Sequence, residues 1–501
     1  MTNAWIPSSF FAIAAPRFTA LAAALALCTF AGCYDSPCPE GRYPEVEVDG
    51  AVMYVDAEYG ADSATGLCTD PVSEIWLAVY IMDKAGTVIA APGTYLGGTS
   101  ATADLTVIGS GTGETIIDGE SVGISVRDAD TLDLQDLSVS GADIGVWTSG
   151  LARVTLANVE LVANRRYGSY ASGGEVEYLD VRVADNGPGD VAETSGGVQL
   201  AGSAQGRFTD VEFSGNAGVG LWAIGSTLEV IDSVFSDAVL DADGVVGRAI
   251  ETGTGSEGGG TPGVSLVNSR IEGYAEAGLV AGGGTAELTG VEISGATSCD
   301  RGFAGTAIAL TAVDAVLEDV EARDACTTGL WADRSTLMAL DLGVTDTTPG
   351  ADDLGTAVRL VETTAELRDS RLDGSTGAAL FARCAEEVAL FDTTVSGVIP
   401  GADDLGGDAL VAGDTTLVVD GGGLQTVDRC GVRLVGDSSL TATGVGFDAG
   451  FGDVCLCDQE VDPDWESVFV AANTTTPGGT PVVVVDEGGE CPEPHPGGCD
   501  E

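Results

Sequence analysis

Gly123-Ile124-Ser125-Val126, Leu132-Asp133-Leu134 and Asp136-Leu137-Ser138-Val139 form the stretch whose reading decides the fold. Apolar residues alternate within each short run, which is the period of a strand with one buried face. The runs are too short for helices, and turn residues separate them. The same triplet returns at Gly145-Val146-Trp147, Val154-Thr155-Leu156 and Asn158-Val159-Glu160-Leu161, and onward to Val454, thirteen times in all. At one position of the repeat only Asp, Asn or Gly occurs: Asp136, Asn158, Asp180, Asp210, Asp232, Asn268, Gly290, Asp319, Asp341, Asp369, Asp392, Gly421 and Gly444. These residue types best tolerate the left-handed backbone conformation, so the chain is expected to make one sharp bend at the same place in every repeat.

Three short strands per repeat, each stacked on its equivalent, predict an all-β protein, a single-stranded right-handed parallel β-helix of about 13 or more coils. At about 4.8 Å per stacked strand the rod would be roughly 60 Å long. An open end would expose core and strand edges, so a cap is needed. Asp70-Pro71 reads as a helix start, and Ile75, Trp76, Val79 and Met82 then share one face of a short N-terminal capping helix. The flanking text, Tyr54-Val55-Asp56 with Gly60 and Asp62, Ala91-Pro92-Gly93-Thr94-Tyr95, Ile108-Gly109-Ser110-Gly111 and Thr115-Ile116-Ile117-Asp118-Gly119, resembles exported right-handed β-helix proteins of the pectin-lyase-like superfamily. The resemblance spans about residues 54 to 455. It implies the fold and leaves the reaction open, since that superfamily holds lyases, hydrolases, epimerases, adhesins and non-enzymatic surface proteins.

The N-terminus reads as an export signal: Arg17 leads into the apolar run Phe18 to Phe30, too short to span a bilayer. Phe30-Ala31-Gly32-Cys33 resembles the bacterial lipobox, which implies a lipidated Cys33, and Tyr34 after it favours the outer membrane or cell surface. The expected organisation is a lipoprotein signal peptide at 1–32, a tether at 33–53, an N-terminal cap and first coils at 54–120, the β-helix at 121–455, and a C-terminal cap and cysteine-containing tail at 456–501. The even cysteine count past Cys33 reads as disulfides in an exported chain. Cys299 and Cys326 lie at similar turns of neighbouring repeats and are expected to pair.

A formal charge of −58 with one lysine, Lys84, argues against nucleic-acid partners. Membrane contact is expected through the lipid anchor only. His495 is the single histidine, so histidine-dependent catalysis and histidine metal clusters are disfavoured. No cofactor is implied. Calcium is the one ion the acidic loops admit, through Asp241, Asp243, Asp352, Asp353, Asp403 and Asp404.

The second residue after each leading Gly or Ala should point outward. That column reads Ser125, Trp147, Tyr170, Gln199, Trp222, Glu251, Val280, Ala309, Trp331, Arg359, Phe381, Val411 and Arg433. Five of thirteen are aromatic in a chain that is 6% aromatic, so the placement is selective. From Asn158 onward, the gap from each bend to the next outward residue alternates between 12 and 18 or 19 residues. Every second coil therefore carries a longer loop: Asp185 to Gly196, Ser236 to Gly247, Ser294 to Gly305, Thr345 to Gly355 and Ser396 to Gly407. These loops enter the aromatic strand and either wall a groove along it or fold over it. The candidate ligand-binding residues are Trp147, Tyr170, Gln199, Trp222, Glu251, Trp331, Arg359 and Phe381, with an extended polysaccharide as the occupant, because sugar rings stack on flat aromatics.

No catalytic set is assigned. Strings expected of polygalacturonase-like and pectate-lyase-like enzymes do not occur, and Asp300-Arg301, Asp333-Arg334, Arg165-Arg166 and Arg359 reproduce no such motif. The reading is a surface-anchored protein with a binding or structural role, leaning away from enzyme. Alternatives are a divergent polysaccharide lyase or epimerase in the same groove, and a stalk or adhesin with a protein partner.

Overall fold

The computed structural model describes residues 38–457 except 49, 84, 128–130, 151–152, 188–194, 256–259, 300–304, 351–354, 402–405 and 450–451, and beyond them 469–472 and 483–486. The chain winds as a parallel β-helix. Equivalent strands of successive coils pair in parallel, giving one sheet of 16 strands and another of 26. The larger sheet forms two faces, because ten-residue strands such as Thr131–Ser140 and Arg153–Val162 run through a corner. In other coils that strand is split, as in Gln205–Thr209 and Glu212–Ser214.

The corner is the expected bend. All thirteen Asp, Asn and Gly positions have positive φ, from 47° at Asp392 to 76° at Gly421. The ladder breaks for that one residue and resumes, so Ala157 pairs with Leu179 and Val159 with Val181 while Asn158 and Asp180 are skipped. Asp180 is exposed and has φ 53°, so its conformation can be tested without disturbing packing. Asp180→Val is expected to cost about 1–2 kcal/mol, because a β-branched residue is strained there. Asp180→Gly should lie close to wild type. Thermal unfolding midpoints rank the three, and equal midpoints would reject the strained-corner account.

Alternate residues of each strand point inward and stack on their own kind. Val146, Val198, Leu221, Ile250, Leu279 and Ile308 fill one such column, all buried. Near the middle the filling is aromatic: Phe213 and Phe235 stack with centroids 4.5 Å apart, and Tyr178 meets Phe208 edge-on at 5.0 Å. This continuous column of core is why no coil needs to be stable alone.

The N-terminal end is closed by the helix Ile75–Ile81, which buries Ile75, Ala78 and Val79. Two details differ from expectation. The helix starts after Glu74 rather than at Asp70-Pro71, because Asp70 accepts hydrogen bonds from the Thr65 backbone and hydroxyl and belongs to a local hairpin with Leu67. Trp76 lies one position off the buried face and is 42% exposed. At the other end the winding runs past residue 455: Phe469–Ala472 pairs with Ser439–Thr443, and Val483–Asp486 with Gly452–Cys457. Part of the expected tail is therefore further coil. Disulfides join Cys38 to Cys68, Cys299 to Cys326, and Cys430 to Cys455.

Candidate functional site

The 16-stranded sheet carries the outward column in strict register. Ser125 pairs with Trp147, Trp147 with Tyr170, Tyr170 with Gln199, Gln199 with Trp222, and Trp222 with Glu251. The file continues through Val280 and Ala309 to Trp331, Arg359 and Phe381, then to Val411 and Arg433. All eight candidate ligand-binding residues thus stand on one straight line, one rung apart or a few rungs apart. Their strand neighbours face the core: Val146 and Thr148 flank Trp147, and Leu221 and Ala223 flank Trp222, all buried. Trp147, Tyr170, Trp222, Glu251, Trp331 and Phe381 are half-buried, Arg359 is exposed, and Gln199 is buried.

The surroundings of the file differ along its length. The Arg127 guanidinium lies 4.1 Å above the Trp147 ring and that of Arg359 lies 5.6 Å above Phe381. Two residues further along each strand stands a parallel file of Ser149, Ser172, Ala201 and Ile224, in register with one another, with Gly253 on the next rung. Mostly small side chains there leave the flank of Trp147, Tyr170 and Gln199 low.

Glu251 has a partner that the sequence did not disclose. Arg248, three residues earlier on the same strand, donates to Glu251 at 2.8 Å and makes a two-pronged contact with Glu276 at 2.7 and 2.9 Å. Such a fork is geometrically demanding and sets all three side chains. Burial raises the pKa of Glu251, with Arg248 opposing and Glu276 adding to the rise. A folded carboxyl that holds its proton to higher pH than the unfolded chain loses stability as pH climbs through the window above 4.5. Glu251→Gln is therefore expected to gain on wild type from pH 4 to pH 7, read as the difference in thermal midpoint. An unchanged difference would show that Arg248 fully offsets the burial. Chemically, a guanidinium that occupies both carboxylates suits orientation of a bound hydroxyl better than proton transfer.

The long loop 236–247 continues the coil before it turns out. Ala217 and Val239 form a parallel bridge, and Asp241 closes a turn by accepting the Val245 backbone N–H at 2.8 Å. That carboxylate caps its own loop, and Asp243 is exposed. Asp352, Asp353, Asp403 and Asp404 lie outside the described residues, as do Cys33, Asp300 and Arg301. Among the described residues no group of three or more acidic, histidine or cysteine side chains is placed to hold a metal. Of the other arginine candidates, Arg165 donates to Asp143 at 2.7 Å and Arg334 contacts Asp333 at 2.9 Å.

A shallow depression of ≈ 340 Å³ lies on the other sheet, lined by Arg153, Glu175, Glu177, Arg207 and Glu229 among others. Its charges pair within the sheet, Arg207 with Glu229 at 2.7 Å and Arg153 with Glu177 at 3.4 Å, and its lining has no aromatic ring on which a sugar could stack. The aromatic file is the better candidate.

Sequence reasoning also missed three buried asparagines, Asn164, Asn186 and Asn216, stacked at the corner that leads into the aromatic strands. Asn164 Nδ2 donates to Asn186 Oδ1 and Asn186 Nδ2 to Asn216 Oδ1, each at 3.0 Å. The same Oδ1 atoms accept the backbone N–H of the preceding asparagine. Identical residues at one corner of consecutive coils were the available signal.

A family model described as a right handed beta helix region matches residues 122–298. No curated protein sequence matches the chain. Similar solved structures include the periplasmic alginate epimerase AlgG, 10% identical over 79% of each chain with a TM-score of 0.36. The A-module of the Azotobacter vinelandii mannuronan C-5 epimerase AlgE6 is 13% identical, covering 84% of this chain and 99% of that one, with a TM-score of 0.32. Tailspike protein 3 of bacteriophage CBA120 is 13% identical over 95% of this chain and 71% of that one, TM-score 0.32. No helix among the described residues is long and apolar enough to cross a membrane. The matched segment lies within an uninterrupted series of parallel rungs that extends on both sides of it, and the protein is a right-handed parallel β-helix.

Proposed function

We propose that this protein is an exported, lipid-anchored β-helix that binds an extended polysaccharide along the outward file of the 16-stranded sheet. One observation carries the reading: Trp147, Tyr170, Gln199 and Trp222 occupy consecutive rungs in register, half-buried or buried, with an amide among three aromatic rings. Rungs about 4.8 Å apart offer one contact per sugar unit of an extended chain. Rings supply stacking, and Gln199 and the Arg248–Glu251 pair supply hydrogen bonds to hydroxyls. The low flank at Ser149, Ser172 and Ala201 leaves room for the chain beside the rings.

The anchor rests on Phe30-Ala31-Gly32-Cys33, and the disulfides suit an oxidising compartment. Binding rather than turnover is favoured because Arg248 holds both nearby carboxylates. A glycan array with the folded mature chain tests the reading. Retention of a polysaccharide class, weakened in Trp147→Ala and in Trp222→Ala and nearly lost when the two are combined, is the expected result. Retention that survives both changes would place the ligand elsewhere on the rod.

A further inference from the structure

The capping helix Ile75–Ile81 has the sequence Ile-Trp-Leu-Ala-Val-Tyr-Ile, with no charged residue in it. One side packs on the rod through Ile75, Ala78 and Val79. A cap facing only water should be polar on its other side. Here the other side presents Trp76, Tyr80 and Ile81, 42%, 72% and 46% exposed. Leu96, 63% exposed, is tied to the head of the helix, where its backbone N–H donates to Glu74 at 2.9 Å.

Chain connectivity bears on what this face would meet. Cys38 is disulfide-bonded to Cys68 within the same cap, and Cys33 stands five residues before Cys38. Five residues reach about 17 Å at full extension. An acyl chain on Cys33 would therefore hold Cys38, and with it the disulfide to Cys68, within that distance of the bilayer. Tryptophan and tyrosine are the side chains that settle at the membrane–water boundary, each with an apolar body and a polar tip.

We propose that the N-terminal cap docks on the bilayer that holds the Cys33 anchor, with Trp76, Tyr80, Ile81 and Leu96 at the lipid interface. The inference rests on the anchor reading given above. The docking is apolar and not electrostatic: the chain carries a charge of −58, and Glu74 sits beside the patch. Zwitterionic lipid is accordingly preferred over anionic lipid. The cap acts as a second attachment that sets the foot of the rod against the membrane, since a single anchor alone leaves it free to tumble.

The test tethers the mature chain from Tyr34 onward, through an N-terminal His tag, to nickel-chelating lipid in phosphatidylcholine vesicles with brominated acyl chains. Tryptophan quenching is compared in wild type and Trp76→Phe. The expected result is quenching in wild type that is lost in Trp76→Phe, and that weakens when anionic phosphatidylglycerol replaces phosphatidylcholine. Equal quenching in both proteins, or none in either, overturns the docking. Concentration-dependent dimerisation abolished by Trp76→Phe, without quenching, would assign the face to a second copy instead. The mass of the exported protein separately reads the anchor. An unacylated Cys33 alongside retained quenching of tethered protein overturns the anchor and leaves the interfacial face standing.

Discussion

Asn186→Leu is expected to destabilise the rod by about 3–5 kcal/mol, the largest single-residue effect away from the core. Leucine is near in size, so the loss comes from hydrogen bonds rather than a cavity. Asn186 Oδ1 accepts from the backbone N–H and the Nδ2 of Asn164, and its Nδ2 donates to the Leu161 carbonyl at 2.8 Å and to Asn216. The change leaves these groups buried without their partner, and each such orphan costs about 1–3 kcal/mol. Asn164→Leu in the same background should then cost less than it does alone, because the pair shares its bonds. Thermal and urea unfolding of the two single variants and the double variant measure this. Additive losses would mean that the asparagines act independently and the stack is incidental. The consequence reaches the candidate site, since Asn164 and Asn216 immediately precede the strands Tyr167–Ser172 and Gly218–Ile224 that carry Tyr170 and Trp222.

Trp222→Ala is expected to weaken polysaccharide binding about tenfold, and Trp147→Ala by a similar factor, in line with about 1.4 kcal/mol for one well-stacked ring. Together they should nearly abolish retention, because an extended ligand bridges the rungs between them. Both side chains are half-buried on the outward face while their neighbours fill the core, so truncation should leave the winding intact. Circular dichroism and unfolding midpoints check this alongside affinity by calorimetry. Trp147 carries a further constraint, the Arg127 guanidinium at 4.1 Å. Arg127→Ala should uncover the ring and raise affinity for a neutral glycan if the guanidinium competes with sugar for the same face. A fall in affinity would show that Arg127 itself contacts the ligand.

The residues that disclosed the winding did so because they repeat a backbone requirement. Asp, Asn and Gly at the first corner report positive φ directly, and that corner fixed the count and register of the coils. With the register came the straight file from Ser125 to Arg433, since strand period and coil period together specify which residues align. The pairing of Cys299 with Cys326 followed for the same reason, from similar places on adjacent coils.

The other two corners differ in how far composition discloses them. The bend after the second strand has Ala163 at φ 53°, Asp185 at 55° and Gly215 at 62°, and the third includes Ala312, Arg334, Glu362 and Cys384, all with positive φ. The second bend otherwise carries Asp or Gly throughout, from Gly141 through Asp237, Gly273 and Asp324 to Gly397, so the sequence held that corner too, whereas the third mixes residue types and only the wound chain shows that strained backbone is shared there. The asparagine stack follows the second corner, and its inward aim depends on the bend at the residue before each asparagine, Ala163, Asp185 and Gly215. The Arg248–Glu276 fork joins one coil to the next across a loop, which no linear spacing encodes.

By itself the sequence determined the parallel winding, the first corner, the coil lengths and the file of outward residues, because each is a local backbone or pattern requirement repeated many times. The tertiary structure alone decided which polar side chains satisfy one another between coils, where the winding continues past residue 455, and which face of the capping helix is left uncovered. Those depend on the distance and direction between atoms on different turns, and a repeat read along one dimension does not contain them.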